Sequence, residues 1–501
     1  MSVGPIVRSS LWLYIGSIIF NVLGYFYWVI ISFFTTPEIV GSASGIIAIE
    51  GLLLAAASLG VPTGIRRFLG ASWAKSDLES FQSILRSGVV ILLITNIPIG
   101  LVLISSTFLF GNLPGLSFIE SIFLGVLVLI EFLPSLFYSI YNSILKTSTV
   151  AIADVLLSIT KIVVSVLLLL NGYGLLALLI GIAIAFLIRS LYFSISYLKL
   201  RHQWDKQSLA KENLESKEYD IRSIIRSGMA FWIPNTSTII GQSIGVLYLF
   251  FFIGKFETGL YQLSLVIAII IYRLPDSIQT VMFPYLSGLN SDKIKIAWRS
   301  IRLSLAFTIP FVSLILFYFQ LPFLFLNSIY LEAAPVLALL SIGALFHPIV
   351  SGYSSYAYSE GKYNHVISIG VVMSLTRVIL VILLIPLFGI LGAAISYSLG
   401  SFSALCVTLP LARNSGFTIV HLDIVKSWIP PLSLGFILTL LKLNWYFGIP
   451  LILSVTFLIY ARISVFTKSD LKEIAQELLS EERARKIASR IKPLVSKLFG
   501  S

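Results

Sequence analysis

SITKIVVSVLLLLNGYGLLA (residues 158–177) and SLTRVILVILLIPLFGILGA (residues 374–393) decide the fold. Each is an apolar run that carries one cation, Lys161 or Arg377, and closes in a glycine turn. Continued upstream, each run reaches about 20 apolar positions, the length of an α-helix that crosses the hydrocarbon of a bilayer. Similar runs fill the chain, near 9–34, 42–65, 87–109, 117–142, 150–170, 174–198, 227–253, 258–285, 302–320, 333–357, 365–386, 390–411, 428–441 and 446–463. The reading is an all-α integral membrane protein with about 14 spans.

Composition agrees. The 501 residues are 57% hydrophobic and only 12% charged, against about 25% charged in an ordinary soluble domain. Only lipid can cover that much apolar surface. One Cys and four His exclude a disulfide framework and argue against a metal centre. The N-terminus shows no cleavable signal pattern. No phosphate loop of the Gly-x-x-x-x-Gly-Lys-Ser/Thr type is present, which argues against an ATP-driven pump. The net charge of +12 needs no nucleic acid. Lys and Arg gather in loops on one side of the span pattern, and only Lys255 and Lys442 fall in loops on the other. Four more lie inside spans. The positive-inside rule makes the rich side the cytoplasm, with both termini there.

The loops divide the chain. Spans one to six occupy 1–199, a polar cytoplasmic loop 200–226, spans seven to twelve 227–412, and spans thirteen and fourteen 413–465. Residues 466–501 place Leu471, Ile474, Leu478, Ile487, Ile491, Leu494 and Leu498 at helical steps among Lys and Arg. Such a basic amphipathic tail either lies on an anionic leaflet or is a solvated helix. The two quoted stretches are 216 residues apart. Pro37-Glu38-Ile39-Val40-Gly41 and Phe256-Glu257-Thr258-Gly259 share nearly the same offset. Units of six spans are parallel repeats, a transporter architecture.

At these positions the sequence resembles the polysaccharide-flippase branch (Wzx-like) of the MOP superfamily. Besides Pro37–Gly41, the resemblance rests on Leu59-Gly60-Val61-Pro62-Thr63-Gly64-Ile65-Arg66-Arg67-Phe68, on Ile253-Gly254-Lys255-Phe256-Glu257-Thr258-Gly259-Leu260-Tyr261 and on Phe388-Gly389-Ile390-Leu391-Gly392-Ala393-Ala394-Ile395. It covers roughly residues 5 to 465. It implies two six-helix lobes in a V around a central cavity. It also implies a substrate made of an oligosaccharide on a polyprenyl phosphate or pyrophosphate, moved by alternating access. Many relatives carry an acid in span seven. The stretch Gly245–Phe250 has none, so an ion-coupling role there does not carry over.

Charges inside the spans are the candidate site. Each costs roughly 2.5–3.5 kcal/mol at the bilayer centre on insertion scales, so each must face protein or water. Lys161, Arg377, Arg189, Arg273 and, at the cytoplasmic end of span two, Arg66 are candidates for the phosphate or head group. Arg offers paired donors and Lys a point charge. By the repeat, Lys161 and Arg377 are equivalent and should face each other. The competing reading is internal pairing with the embedded acids Glu50, Glu131, Asp154 and Asp276. Arg273 and Asp276, three apart, can pair on one helix face. Those four acids are also candidates for Na+ or proton coupling, since a carboxyl in a dry site can bind and release a proton. His347 beside Pro348 reads as a packed polar residue. No catalytic residue, metal or cofactor is expected. The partners are a lipid-linked oligosaccharide and the bilayer, with other glycan-assembly proteins as candidates, and the chain reads as a monomer. The alternative is a cation-coupled multidrug antiporter of the MATE type, which should have an acid-dominated cavity. A membrane glycosyltransferase is disfavoured by the short outer loops.

Overall fold

A computed structural model describes residues 3–74, 77–208, 221–287 and 291–467. The tail from 468, with its amphipathic pattern, and residues 209–220 of the 200–226 loop lie outside the described residues. The chain forms α1 (Val3–Phe34), α2 (Pro37–Ser58), α3 (Val61–Ala74), α4 (Leu78–Phe110), α5 (Phe118–Ser143), α6 (Thr147–Leu170), α7 (Leu175–Ser208), α8 (Ile221–Tyr248), α9 (Lys255–Ser287), α10 (Lys293–Phe317), α11 (Ala334–Ile342), α12 (His347–Ser359), α13 (Tyr363–Phe388), α14 (Ile390–Asn414), α15 (His421–Leu440) and α16 (Trp445–Arg462). Twelve helical segments among the described residues are long and apolar enough to cross a membrane. With α1 and α15, whose positions match the first and thirteenth runs, the helices are consistent with the expected count. The chain is an all-helical, multi-pass membrane protein.

Local chemistry places the helix ends. Asp77 caps α4 by accepting the Ser80 N–H at 3.0 Å. Ser117 and Glu120 form a reciprocal capping box on α5, which satisfies two N–H groups that the helix cannot. Glu120 also accepts Lys255 Nζ at 2.9 Å. Gly172 and Gly389, in the two turns quoted above, take positive φ of 82° and 55°, where a side chain would be strained.

Two predicted spans are interrupted. The run 42–65 stops at Ser58, because Leu59 and Gly60 adopt left-handed φ of 45° and 72°. The chain restarts as α3, so Arg66 sits on a separate helix. The run 333–357 breaks at Gly343–Leu345, just before Pro348, which has no N–H for the ladder. The freed groups find partners. Gly343 N–H donates to Ser398 Oγ at 3.1 Å, Ser398 Oγ donates to Leu339 O at 2.6 Å, and Tyr272 OH donates to Leu340 O at 3.1 Å. Irregular backbone at membrane depth requires this kind of compensation.

The chain divides into two compact units, Met1–Val266 with Leu326–Tyr330 and Ser374–Ser396, and Ile267–Phe325 with Leu331–Met373 and Tyr397–Ser501. In the first unit small residues let backbones meet, as membrane helices require in the absence of a hydrophobic drive between them. A Cβ on Gly41 would lie 1.8 Å from the Lys255 carbonyl oxygen, and one on Gly259 would lie 1.9 Å from the Pro37 carbonyl oxygen. The two motifs matched in sequence as repeats therefore touch each other, each glycine accepting the other's backbone. At the turn after α2, Gly60 and Gly228 do the same, and Trp232 Nε1 donates to Ala55 O at 2.6 Å. In the second unit α10 packs against α12, α15 and α16. The Pro430-Pro431 pair removes two donors from α15. The orphaned Ser427 carbonyl accepts the buried Tyr460 hydroxyl of α16, and Ser313 of α10 donates to Pro431 O at 2.6 Å.

Candidate functional site

Helix register explains which charges meet in the first unit. Glu50, Glu131 and Arg189 each lie 13 or 14 residues from the first residue of α2, α5 and α7, so about 20 Å along each axis. Asp154 lies about 24 Å from the far end of α6, which adjoins the start of α7. Alternating helices put these four ends on one side, so the four side chains share a level. Arg189 stands between two acids, NH1 3.6 Å from Glu131 Oε1 and NH2 3.7 Å from Asp154 Oδ1. Both separations are ion pairs but exceed hydrogen-bond length. The Arg189 Nε and Glu131 Oε2 atoms are buried without a hydrogen-bond partner, as is Glu50 Oε1. Glu131 in turn acts electrostatically on Glu50, which is 6% exposed. A cavity of about 220 Å3 adjoins the cluster, its wall including Phe20, Tyr138, Asp154 and Arg189. The Arg66 guanidinium lies over the Tyr138 ring, 5.6 Å from its centroid.

Lys161 is about 14 Å from that same end of α6, nearer the turn than the cluster. Its ammonium sits 4.1 Å from the centroid of Tyr27, a fully buried ring of α1. This is a cation–π contact. Arg377 is buried, 3% exposed.

The second unit holds a different arrangement. Arg273 and Asp276 are three apart on α9, and their closest approach is 4.0 Å. This is the expected pair along one helix face, and Asp276 meets His347 with its other oxygen, Nε2 2.7 Å from Oδ1. The Tyr272 ring packs on the imidazole at 5.2 Å between centroids. Arg273 is left with a side chain 52% exposed. Among the described residues no three His, Cys, Asp or Glu side chains converge to hold a metal ion.

Sequence reasoning named the acids open to internal pairing and the Arg273–Asp276 pair, but not which acids Arg189 meets, nor Tyr27 beside Lys161 or His347 beside Asp276. Asp154 and Arg189 stand almost symmetrically about the Asn171–Gly174 turn, and a tight helical hairpin juxtaposes such positions; that signal was present. Tyr27 among many aromatic residues gave none. His347 carried one signal, a polar ring beside a proline within an apolar run.

The profile of the polysaccharide biosynthesis protein family matches residues 6–290. This is more than half of the chain, and the protein belongs to that family. The capsular polysaccharide biosynthesis protein CapF of Staphylococcus aureus is 31% identical over 160 residues, a match covering 30% of this chain and 40% of that protein. Among solved structures, the lipid II flippase MurJ in an inward closed conformation aligns with a TM-score of 0.68 at 18% identity, covering 90% of this chain and 98% of that one. An inward-facing multidrug resistance MATE family transporter of the MOP superfamily aligns with a TM-score of 0.57 at 17% identity, covering 79% and 94%. The fold is that of the MOP superfamily.

Proposed function

We propose that the protein is a flippase. It moves an oligosaccharide linked to a polyprenyl phosphate or pyrophosphate from the cytoplasmic to the outer leaflet for cell-surface polysaccharide or glycoprotein assembly. It acts as a transporter and not an enzyme, in the cytoplasmic membrane with both termini inside. The carrying observation is Arg273. It is a half-exposed guanidinium about 27 Å along a membrane helix, and Asp276, its ion-pair partner at 4.0 Å, is shared with His347 at 2.7 Å. An exposed cation at that depth needs an anion or water, and a guanidinium fork matches a phosphate. Lys161 and Arg377 are the further cations for the head group. Arg66 and Arg189 complete the set as second-rank candidates, since Arg189 already faces two carboxylates. Glu50 and Glu131, with Asp154 and Asp276 behind them, are the acids for proton or Na+ coupling. The head group shifts the balance between inward-open and outward-open states by its differential affinity for them.

The test is translocation of a fluorescent lipid-pyrophosphate oligosaccharide in proteoliposomes. Wild type should flip the lipid, and Arg273→Ala should lower the rate at least tenfold with unchanged melting temperature. Export of a cationic dye under a Na+ or proton gradient, with no lipid movement, establishes the MATE-type antiporter instead.

A further inference from the structure

The cavity beside Arg189 has a chemistry that a phosphate does not fit. One cation stands in its wall, Arg189. Two acids offset it, Asp154 in the wall and Glu131 against Arg189. An anion entering would meet the Asp154 carboxylate, and a cation would meet the Arg189 guanidinium. A neutral guest avoids both penalties.

That guest must also hydrogen-bond in both directions. Arg189 Nε, Arg66 Nε and Glu131 Oε2 are all buried without hydrogen-bond partners. The ion pairs at 3.6 and 3.7 Å are too long to use the donors and acceptors they contain. Of these residues Arg189 lines the cavity, and its long pairing with Asp154 leaves the guanidinium and the carboxylate in the wall with hydrogen-bonding capacity for a guest. A hydroxyl donates to a carboxylate while it accepts from a guanidinium. Vicinal hydroxyls do so at two points at once. The remaining wall is the Phe20 and Tyr138 rings with Gly16, Val150 and Ala151, and the rings suit the flat C–H face of a sugar. At about 220 Å3 the space is below the roughly 300–1,000 Å3 of sites for drug-sized ligands, which limits the guest to a single ring.

We propose that this cavity is a saccharide subsite that seats one neutral pyranose ring, hydrogen-bonded by Asp154 and Arg189 and stacked on Tyr138. The assignment rests on the flippase reading for its biological sense. It separates sugar recognition from phosphate recognition at Arg273.

The test uses the full chain in lipid nanodiscs and saturation-transfer NMR. The probes are free neutral hexoses, 6-deoxyhexoses and N-acetylhexosamines, with inorganic pyrophosphate as competitor. A ligand of about a dozen heavy atoms should bind with a Kd on the order of 1 mM. At least one neutral sugar should give saturation transfer that falls fivefold or more in Asp154→Asn and in Tyr138→Ala. It should persist in Ser433→Ala and with excess pyrophosphate. Asp154→Asn keeps the side-chain shape, and melting temperatures establish that the variants are folded. Displacement of the sugar by pyrophosphate overturns the proposal. So does equal binding by both variants, or no binding by any neutral sugar. Translocation in proteoliposomes is read separately: if lipid is flipped but no sugar binds, the subsite falls and the flippase stands. If sugars bind through Asp154 and Tyr138 but no lipid moves, the subsite stands and the transport reading falls.

Discussion

Replacing Gly41 by alanine should destabilise the protein, whereas replacing Gly51 on the same helix should stabilise it. The contrast isolates packing from helix propensity. At Gly51 a new Cβ meets nothing within 4 Å, so the substitution gains up to about 1 kcal/mol of helix propensity. At Gly41 the same Cβ would stand 1.8 Å from the Lys255 carbonyl oxygen. An ordinary contact needs more than 3 Å, so α2 and α9 must separate locally by more than an ångström. Overpacking of that kind costs about 1–3 kcal/mol, and the propensity gain recovers part of it. The two variants should therefore differ by roughly 1–3 kcal/mol with opposite signs relative to wild type. Gly259→Ala should behave like Gly41→Ala, since its Cβ meets the Pro37 carbonyl at 1.9 Å. Thermal unfolding in nanodiscs, followed by intrinsic fluorescence, measures all three. Equal melting temperatures for Gly41→Ala and Gly51→Ala would show that the backbones do not touch there, and the packing argument would fail.

Tyr460→Phe should cost about 1–3 kcal/mol, because the Ser427 carbonyl then has neither a ladder N–H nor a hydroxyl; a melting temperature equal to wild type refutes this. Lys255→Met should cost about 1–3 kcal/mol, since it leaves the Glu120 carboxylate, 5% exposed, without its cation; an unshifted melting temperature refutes this. His347→Ala should slow lipid translocation several-fold by letting Asp276 turn to Arg273, and Asp276→Asn added to it should restore the rate. No restoration in the double variant means that His347 acts through something other than Asp276. Arg189→Ala should destabilise more than Lys161→Ala, because it strands two buried carboxylates rather than one aromatic face; the order of melting temperatures decides.

The spans were legible because hydrocarbon thickness sets a length that apolar runs either meet or miss. Their interruptions were less so. Gly60 and Pro62 stood in plain view within the run 42–65, but apolar residues continue to Ile65, and hydropathy cannot see a left-handed φ. The break before Pro348 was marked by its proline, yet its repair by Ser398 depends on a residue about 50 positions away. Among the charges, sequence placed Lys161, Arg189, Arg273 and Arg377 within long apolar helices. It did not place their partners, because an ion pair between helices depends on rotation about the axes, which depth alone leaves open. Arg273 shows both sides: the three-residue spacing to Asp276 suggested the pair that forms at 4.0 Å, and the histidine from another helix that shares the acid was not foreseen.

The reciprocal contact of Gly41 with Lys255 and of Gly259 with Pro37 has the form of an isologous interface, in which each of two like surfaces gives what it receives. Two separate half-length chains would meet in the same way. The contact that now joins two stretches of one polypeptide is therefore one that a homodimer could have made before its two genes were fused. A descendant that lost one glycine alone would break the symmetry of the seam and leave the other copy without its counterpart.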